Sequence, residues 1–97
     1  MAIATVTVVP LGTADPSLSA YIREVIQAAE AAAGVKVLVG PNGTTLEGEL
    51  DAVFAAVRAM HEIPFAAGAR RVMTLVNVDD RRDKALTIEG KLKAVGR

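Results

Sequence analysis

The feature that most constrains this chain is a dense turn, Gly40-Pro41-Asn42-Gly43, set between two short segments with strand-forming residues. Proline fixes one φ angle and donates no N–H, while glycine and asparagine accept the positive φ that tight reversals need. Val35 to Val39 before the turn and Thr44 to Glu49 after it therefore read as the two strands of a hairpin. Asn42-Gly43-Thr44 has the form of a glycosylation acceptor, but in a chain with no secretion signal it reads as part of the turn.

The flanking segments complete a pattern. Ile3 to Val9 is β-branched and alternates threonine with valine at positions 5 to 8, a first strand ended by Pro10-Leu11-Gly12. Asp15-Pro16 is an expected N-cap and first helical position. Leu18, Tyr21, Ile22, Val25, Ile26, Ala29 and Ala33 then recur at helical spacing, with Gly34 as the stop. Beyond the hairpin, Leu50, Val53, Phe54, Val57 and Met60 form a second helical stripe, which Pro64 is expected to kink or end and Gly68 to terminate. Arg71 to Val78 reads as a fourth strand and Thr87 to Val95 as a short terminal helix. The order β-α-β-β-α-β plus a helical tail predicts an α+β, ferredoxin-like sandwich, with a four-stranded antiparallel sheet and both main helices on one face. Its 97 residues suit one domain spanning 1–97.

Composition narrows the function classes. With 52% apolar residues the chain is not intrinsically disordered. Eleven basic against eleven acidic side chains argue against a general polyanion binder, whose affinity comes from cations neutralising phosphates. No cysteine means no disulfide scaffold, thiolate nucleophile or iron–sulfur site, and suits a reducing cytoplasm. Met1 to Thr5 carries no basic leader, and no apolar run approaches the ~20 residues that span a bilayer. Neither nucleic acid nor membrane is an expected partner.

The two faces of the sheet carry the functional information. If Val6, Val8, Leu46, Val72, Val76 and Val78 face the helices, then Thr5, Thr7, Val9, Thr45, Glu47, Met73, Leu75 and Asn77 lie on the open face. Contiguous apolar surface of that kind marks an interface, so sheets of different subunits are expected to pack face to face. A carboxylate, hydroxyls and an amide within an apolar interface make a plausible small-molecule pocket. The alternative stays open: the threonines are ordinary strand formers and Glu47 pairs with a basic neighbour. Charge is also split. Residues 1–69 hold 3 basic and 7 acidic side chains and residues 70–97 hold 8 and 4, a complementarity that favours subunit association or internal pairing.

Other chemistry is thin. His61 is the only histidine, without the partners of a metal or catalytic site, and reads as a packing or surface residue. Asp79 and Asp80, beside Arg81 and Arg82, read as turn caps and ion pairs rather than a cation site, and Arg81 to Lys84 as a mixed-charge loop. Pro10-Leu11-Gly12-Thr13 matches neither phosphate-binding nor dinucleotide fingerprints. Tyr21, Phe54 and Phe65 all fall in helical segments, so no strand aromatics are available to stack bases. Neither a metal nor a cofactor is expected.

Several blocks recur together. Val9-Pro10-Leu11-Gly12-Thr13, Ser17-Leu18-Ser19-Ala20-Tyr21, Gly40-Pro41-Asn42-Gly43-Thr44-Thr45-Leu46-Glu47-Gly48-Glu49, Gly68 to Val72, Asp79 to Lys84 and Lys91 to Val95 follow in one order. Together they resemble the thiamine-binding, DUF77-type family of small ferredoxin-like proteins, over nearly the whole chain. Two departures are Asn42, where the family often carries methionine, and Pro64-Phe65 in the second helix. The resemblance implies a homotetramer built from dimers that binds thiamine or its aminopyrimidine half without converting it. On that reading Glu47 accepts hydrogen bonds from the aminopyrimidine edge, Thr45, Thr7 and Asn77 orient the ligand, and Met73 and Leu75 pack on the ring. Ser19 joins them through the serine-rich block. Two competing classes are a small cofactor-free enzyme with Glu47 as general base, and a structural oligomer without ligand.

Overall fold

A computed structural model describes residues 1–97. The elements are β1 (Ala2–Pro10), α1 (Ser19–Ala31), β2 (Val35–Val39), β3 (Thr44–Gly48), α2 (Leu50–Ala66), β4 (Val72–Asp80) and α3 (Ile88–Ala94). The strands form one antiparallel sheet in the order β2-β3-β1-β4, the ferredoxin-like arrangement that the element order predicts. No helix is long and apolar enough to cross a membrane.

Alternation along the strands decides what each face carries. Ala4, Val6, Val8 and Leu46 meet Val25 and Ala29 of α1 and Val53, Ala56 and Met60 of α2 in the main core. The strand pairing gives the opposite face as rows: Lys36–Glu47–Ile3–Asp79, then Leu38–Thr45–Thr5–Asn77, with Thr7–Leu75 and Val9–Met73 beyond. The expected assignment of residues to faces therefore holds on all the strands for which it was made.

Three local expectations differ. The first concerns Asp15, whose Oδ1 accepts from the Ser17 N–H at 2.9 Å, so the side chain closes a turn and α1 begins four residues later. The second is Pro64, fully buried inside α2 rather than ending it. A proline this close to a C-terminus forfeits a single bond, and the helix stops two residues on, where Ala69 N–H reaches Pro64 O and Gly68 takes φ +103. The third is β4, which runs to Asp80 because Ala2 pairs with it across the ladder.

The terminal helix has the largest consequence. Thr87 caps it by accepting from Gly90 N–H at 2.9 Å. Ile88 packs with Leu86 and with Ile3, which is on the sheet face away from α1 and α2. α3 thus covers one end of the open face and leaves the other bare.

Candidate functional site

The border between the covered and bare parts of the open face holds a cavity of about 350 Å³. Its floor is one row of the sheet, where Thr45, Thr5 and Asn77 stand side by side on β3, β1 and β4, flanked by Leu38 of β2. Ile88, Lys91 and Leu92 of α3 form a wall, and Asp79 completes the rim. Lys91 Nζ is 2.6 Å from Asp79 Oδ2, both about half exposed, so the mouth carries one charge of each sign. Apolar walls around a few converging polar groups are the usual constitution of a small-molecule site, and the volume is at the lower end of their range.

Glu47 lies in the next row, beneath α3. It is only 7% exposed, and its Oε1 accepts from the Ile88 N–H at 3.0 Å. A carboxylate on the first amide of a helix satisfies an otherwise orphaned donor and complements the helix dipole. Glu47 therefore seats α3, and α3 makes the wall.

The expected site residues are distributed unevenly. Thr45 and Asn77 share the cavity and Glu47 adjoins it. Met73 and Leu75 are on the same face but past the reach of α3, each half exposed. Thr7 lies on that face too, but its Oγ1 donates to Asn42 O at 3.3 Å and it lines a different cavity, against α1. Ser19 opens α1, with its hydroxyl 3.1 Å from that of Ser17, away from the open face. Thr5, Leu38, Asp79, Ile88, Lys91 and Leu92 were not anticipated as lining residues. A signal existed for α3: Ile88 and Leu92, four residues apart on one helical face, need an apolar surface to cover.

Three other titratable side chains, His61, Asp80 and Asp83, make local contacts. His61 Nδ1 is 2.6 Å from Thr74 Oγ1 and its ring meets Phe65 edge-on at 5.5 Å. A hydrogen bond from Arg82 holds Asp80 below the ordinary aspartate range, and one from Arg81 does the same for Asp83. No group of three or more histidine, aspartate or glutamate side chains is placed to hold a metal ion.

Fold and cavity together define a small ferredoxin-like domain with a cavity of ligand size on the open face of its sheet. The sequence profile of the thiamine-binding protein family matches residues 4–96, and the chain belongs to that family. The UPF0045 protein YqgV of Bacillus subtilis is 44% identical over 100% of this chain and 96% of its own length. A hypothetical protein of Methanocaldococcus jannaschii of known crystal structure superposes with a TM-score of 0.88 at 36% identity, covering 98% of this chain and 95% of that one. A Thermotoga maritima protein, described as a candidate for thiamine biosynthesis or salvage, gives 0.77 at 26% identity, with 97% of each chain covered.

Proposed function

We propose that this protein binds thiamine or its hydroxymethylpyrimidine half, in the cytoplasm, and releases it unchanged. The observation that carries the reading is the polar row Thr45–Thr5–Asn77 on the floor of an otherwise apolar cavity. Hydroxyls both donate and accept, and the Asn77 amide offers one of each, which suits the mixed donor–acceptor edge of an aminopyrimidine. Leu38, Ile88 and Leu92 supply contact for the rings, and Asp79 at the mouth complements the thiazolium charge. Glu47 acts as a positioning residue by seating α3. The family and the description of the Thermotoga relative support a binding role.

In this reading Met73 and Leu75, with Val9, are covered by a second copy, as expected of a homotetramer built by sheet-to-sheet packing. Exposed apolar side chains in adjoining rows supply the driving force for that contact.

The test is calorimetric titration with thiamine, thiamine diphosphate and the free aminopyrimidine alcohol, on protein whose mass is measured by light scattering. Saturable binding that weakens roughly tenfold in Asn77→Leu is expected, since one buried hydrogen bond is removed and its partner left unmet. Absence of binding by all three, or product formation on incubation, overturns the reading.

A further inference from the structure

The turn that joins β2 to β3 carries Asn42-Gly43, and Asn42 is exposed. An asparagine side chain and the next main-chain nitrogen can close a five-membered ring. Glycine hinders that approach least, because it has no Cβ. The other asparagine of the chain, Asn77, is held within β4 opposite Thr5 and is followed by the β-branched Val78.

Two features of the turn favour ring closure. The first is the nucleophile. Of the two main-chain bonds that can close a hairpin turn of this length, the one made runs from Gly40 N–H to Gly43 O at 2.9 Å. The reciprocal bond, from Gly43 N–H to Gly40 O, is not made, and Gly43 lies outside β3, which starts at Thr44.

The second feature is the peptide carbonyl. When the Gly43 nitrogen gives up its proton, resonance shares the negative charge with the oxygen of the same peptide unit, Asn42 O. Thr7 Oγ1 donates to that oxygen at 3.3 Å. A hydroxyl aimed where charge develops stabilises it, as the donors of an oxyanion hole do. Thr7 is available because β1 outlasts β3: their pairing ends at Val6 and Thr44, leaving Thr7 beside the turn. A Cβ at position 43 would stand 3.3 Å from Thr5 Cγ2 and 3.4 Å from Thr7 Oγ1, so glycine is what lets both threonines close on this peptide.

We propose that Asn42-Gly43 is a self-modifying site, at which the hairpin turn converts its own asparagine to aspartate and isoaspartate. The Gly43 nitrogen, its proton taken by water or hydroxide, bonds to Asn42 Cγ. The Cγ–Nδ2 bond breaks and Nδ2 leaves with a proton as ammonia. Water then adds to one or the other carbonyl of the resulting succinimide, breaks that C–N bond and returns a proton to the nitrogen. The product is aspartate or an isoaspartyl linkage, with no change of oxidation state. Either product puts an ionised group into the lining of the cavity of about 250 Å³ between α1 and the turn, none of whose lining side chains is titratable. The isoaspartyl product also lengthens the main chain by one atom inside the turn that Gly40 and Gly43 close. This chemistry is independent of the thiamine reading.

The test is incubation of the full chain at mildly alkaline pH, folded and in denaturing urea, followed by peptide mass spectrometry and an enzymatic assay for isoaspartate. Conversion at residue 42 is expected, with Asn77 left intact, at a rate in the folded chain no lower than in urea. Thr7→Val is expected to slow the folded chain roughly two- to tenfold, the equivalent of one neutral hydrogen bond, and to leave the rate in urea unchanged. Thr7→Ser keeps the hydroxyl and is expected to keep the rate, which separates loss of the bond from loss of the fold. An Asn42 that stays intact in the folded chain while the unfolded chain converts, or equal folded-state rates in Thr7→Val and the parent chain, overturns the inference.

Discussion

Removing the Glu47 carboxylate should undock α3 while leaving the sheet intact. The bond from Ile88 N–H to Glu47 Oε1, 3.0 Å long and buried, is the one side-chain hydrogen bond between α3 and the strand beneath it. Hydrogen bonds to charged groups contribute about 1.5–3 kcal/mol and neutral ones about 0.5–1.5. Glu47→Gln keeps an acceptor and forfeits the charge, a loss of about 1–1.5 kcal/mol on those figures. Glu47→Ala forfeits the whole bond and strands the amide. The readout is native-state hydrogen exchange at Gly90 and Lys91, whose amides bond to Thr87 in the first turn of α3. One factor of ten in exchange corresponds to about 1.4 kcal/mol of opening free energy. Exchange should therefore quicken roughly tenfold in the glutamine variant and ten- to a hundredfold in the alanine variant. The Ala4 amide, in the middle of the β1–β3 ladder opposite Leu46, serves as the internal control. Unchanged protection at Lys91 in Glu47→Ala would refute the argument that Glu47 seats the helix, and with it the positioning role at the cavity.

Other perturbations are sharper in location. Gly48→Ala places a methyl group 2.6 Å from Gly34 O, a main-chain atom at the end of α1, and should destabilise the fold by about 1–3 kcal/mol in chemical denaturation. Thr74→Val leaves His61 Nδ1 without its partner at 2.6 Å and should cost about 1 kcal/mol, seen as a lowered denaturation midpoint at unchanged slope. On the proposed reading, Asp79→Asn should weaken thiamine by up to about fivefold and leave the uncharged pyrimidine alcohol unaffected, because the carboxylate at the mouth would complement only the thiazolium. Asp80 and Asp83 are held below the ordinary aspartate range by Arg82 and Arg81, so their contribution is present at neutral pH and is lost as pH falls below ~4. Melting temperature should consequently be flat from pH 8 to 5 as far as this loop is concerned, and the acid loss should be smaller in Arg81→Ala/Arg82→Ala.

The fold was legible because its signals are local. Threonine–valine alternation in β1, the turn at residues 40–43 and two apolar stripes at helical spacing each name an element. Given the strands, alternation alone sorted side chains to the correct faces, since a strand buried on one side tolerates no slip of register. The boundaries were less legible where a side chain had two uses. Asp15 is as good a turn-former as an N-cap, and only the three-dimensional path of residues 11–18 selects the turn. Pro64 reads as a breaker, yet its cost depends on how many helical bonds lie beyond it, and here the helix was already ending. The lining of the candidate cavity was legible in part. Thr45 and Asn77 meet because both pair with Thr5, whereas the fate of Glu47 turned on a helix forty-one residues away in sequence. No periodicity reveals on which face of a sheet a seven-residue helix will land.

That landing place has a consequence for how the protein works. With α1 and α2 on one face, the other face must be covered or left apolar in water. α3 covers the row containing Ile3, Glu47 and Asp79, and stops short of Thr7–Leu75 and Val9–Met73. The cavity over Thr45, Thr5 and Asn77 falls on this boundary, so one wall belongs to α3 and the opposite side lies toward the bare rows. A second copy seated on Met73 and Leu75 would then close the site from the side that α3 leaves open. Ligand affinity and assembly would be thermodynamically linked, because each would bury surface next to the other. α3 is also the element with the fewest anchors: one buried hydrogen bond, one half-exposed ion pair and a three-residue apolar cluster. Local opening is drawn from such weakly held segments. On the proposed reading, the terminal helix is the part of the fold best suited to admit and release a ligand while the sheet beneath it stays fixed.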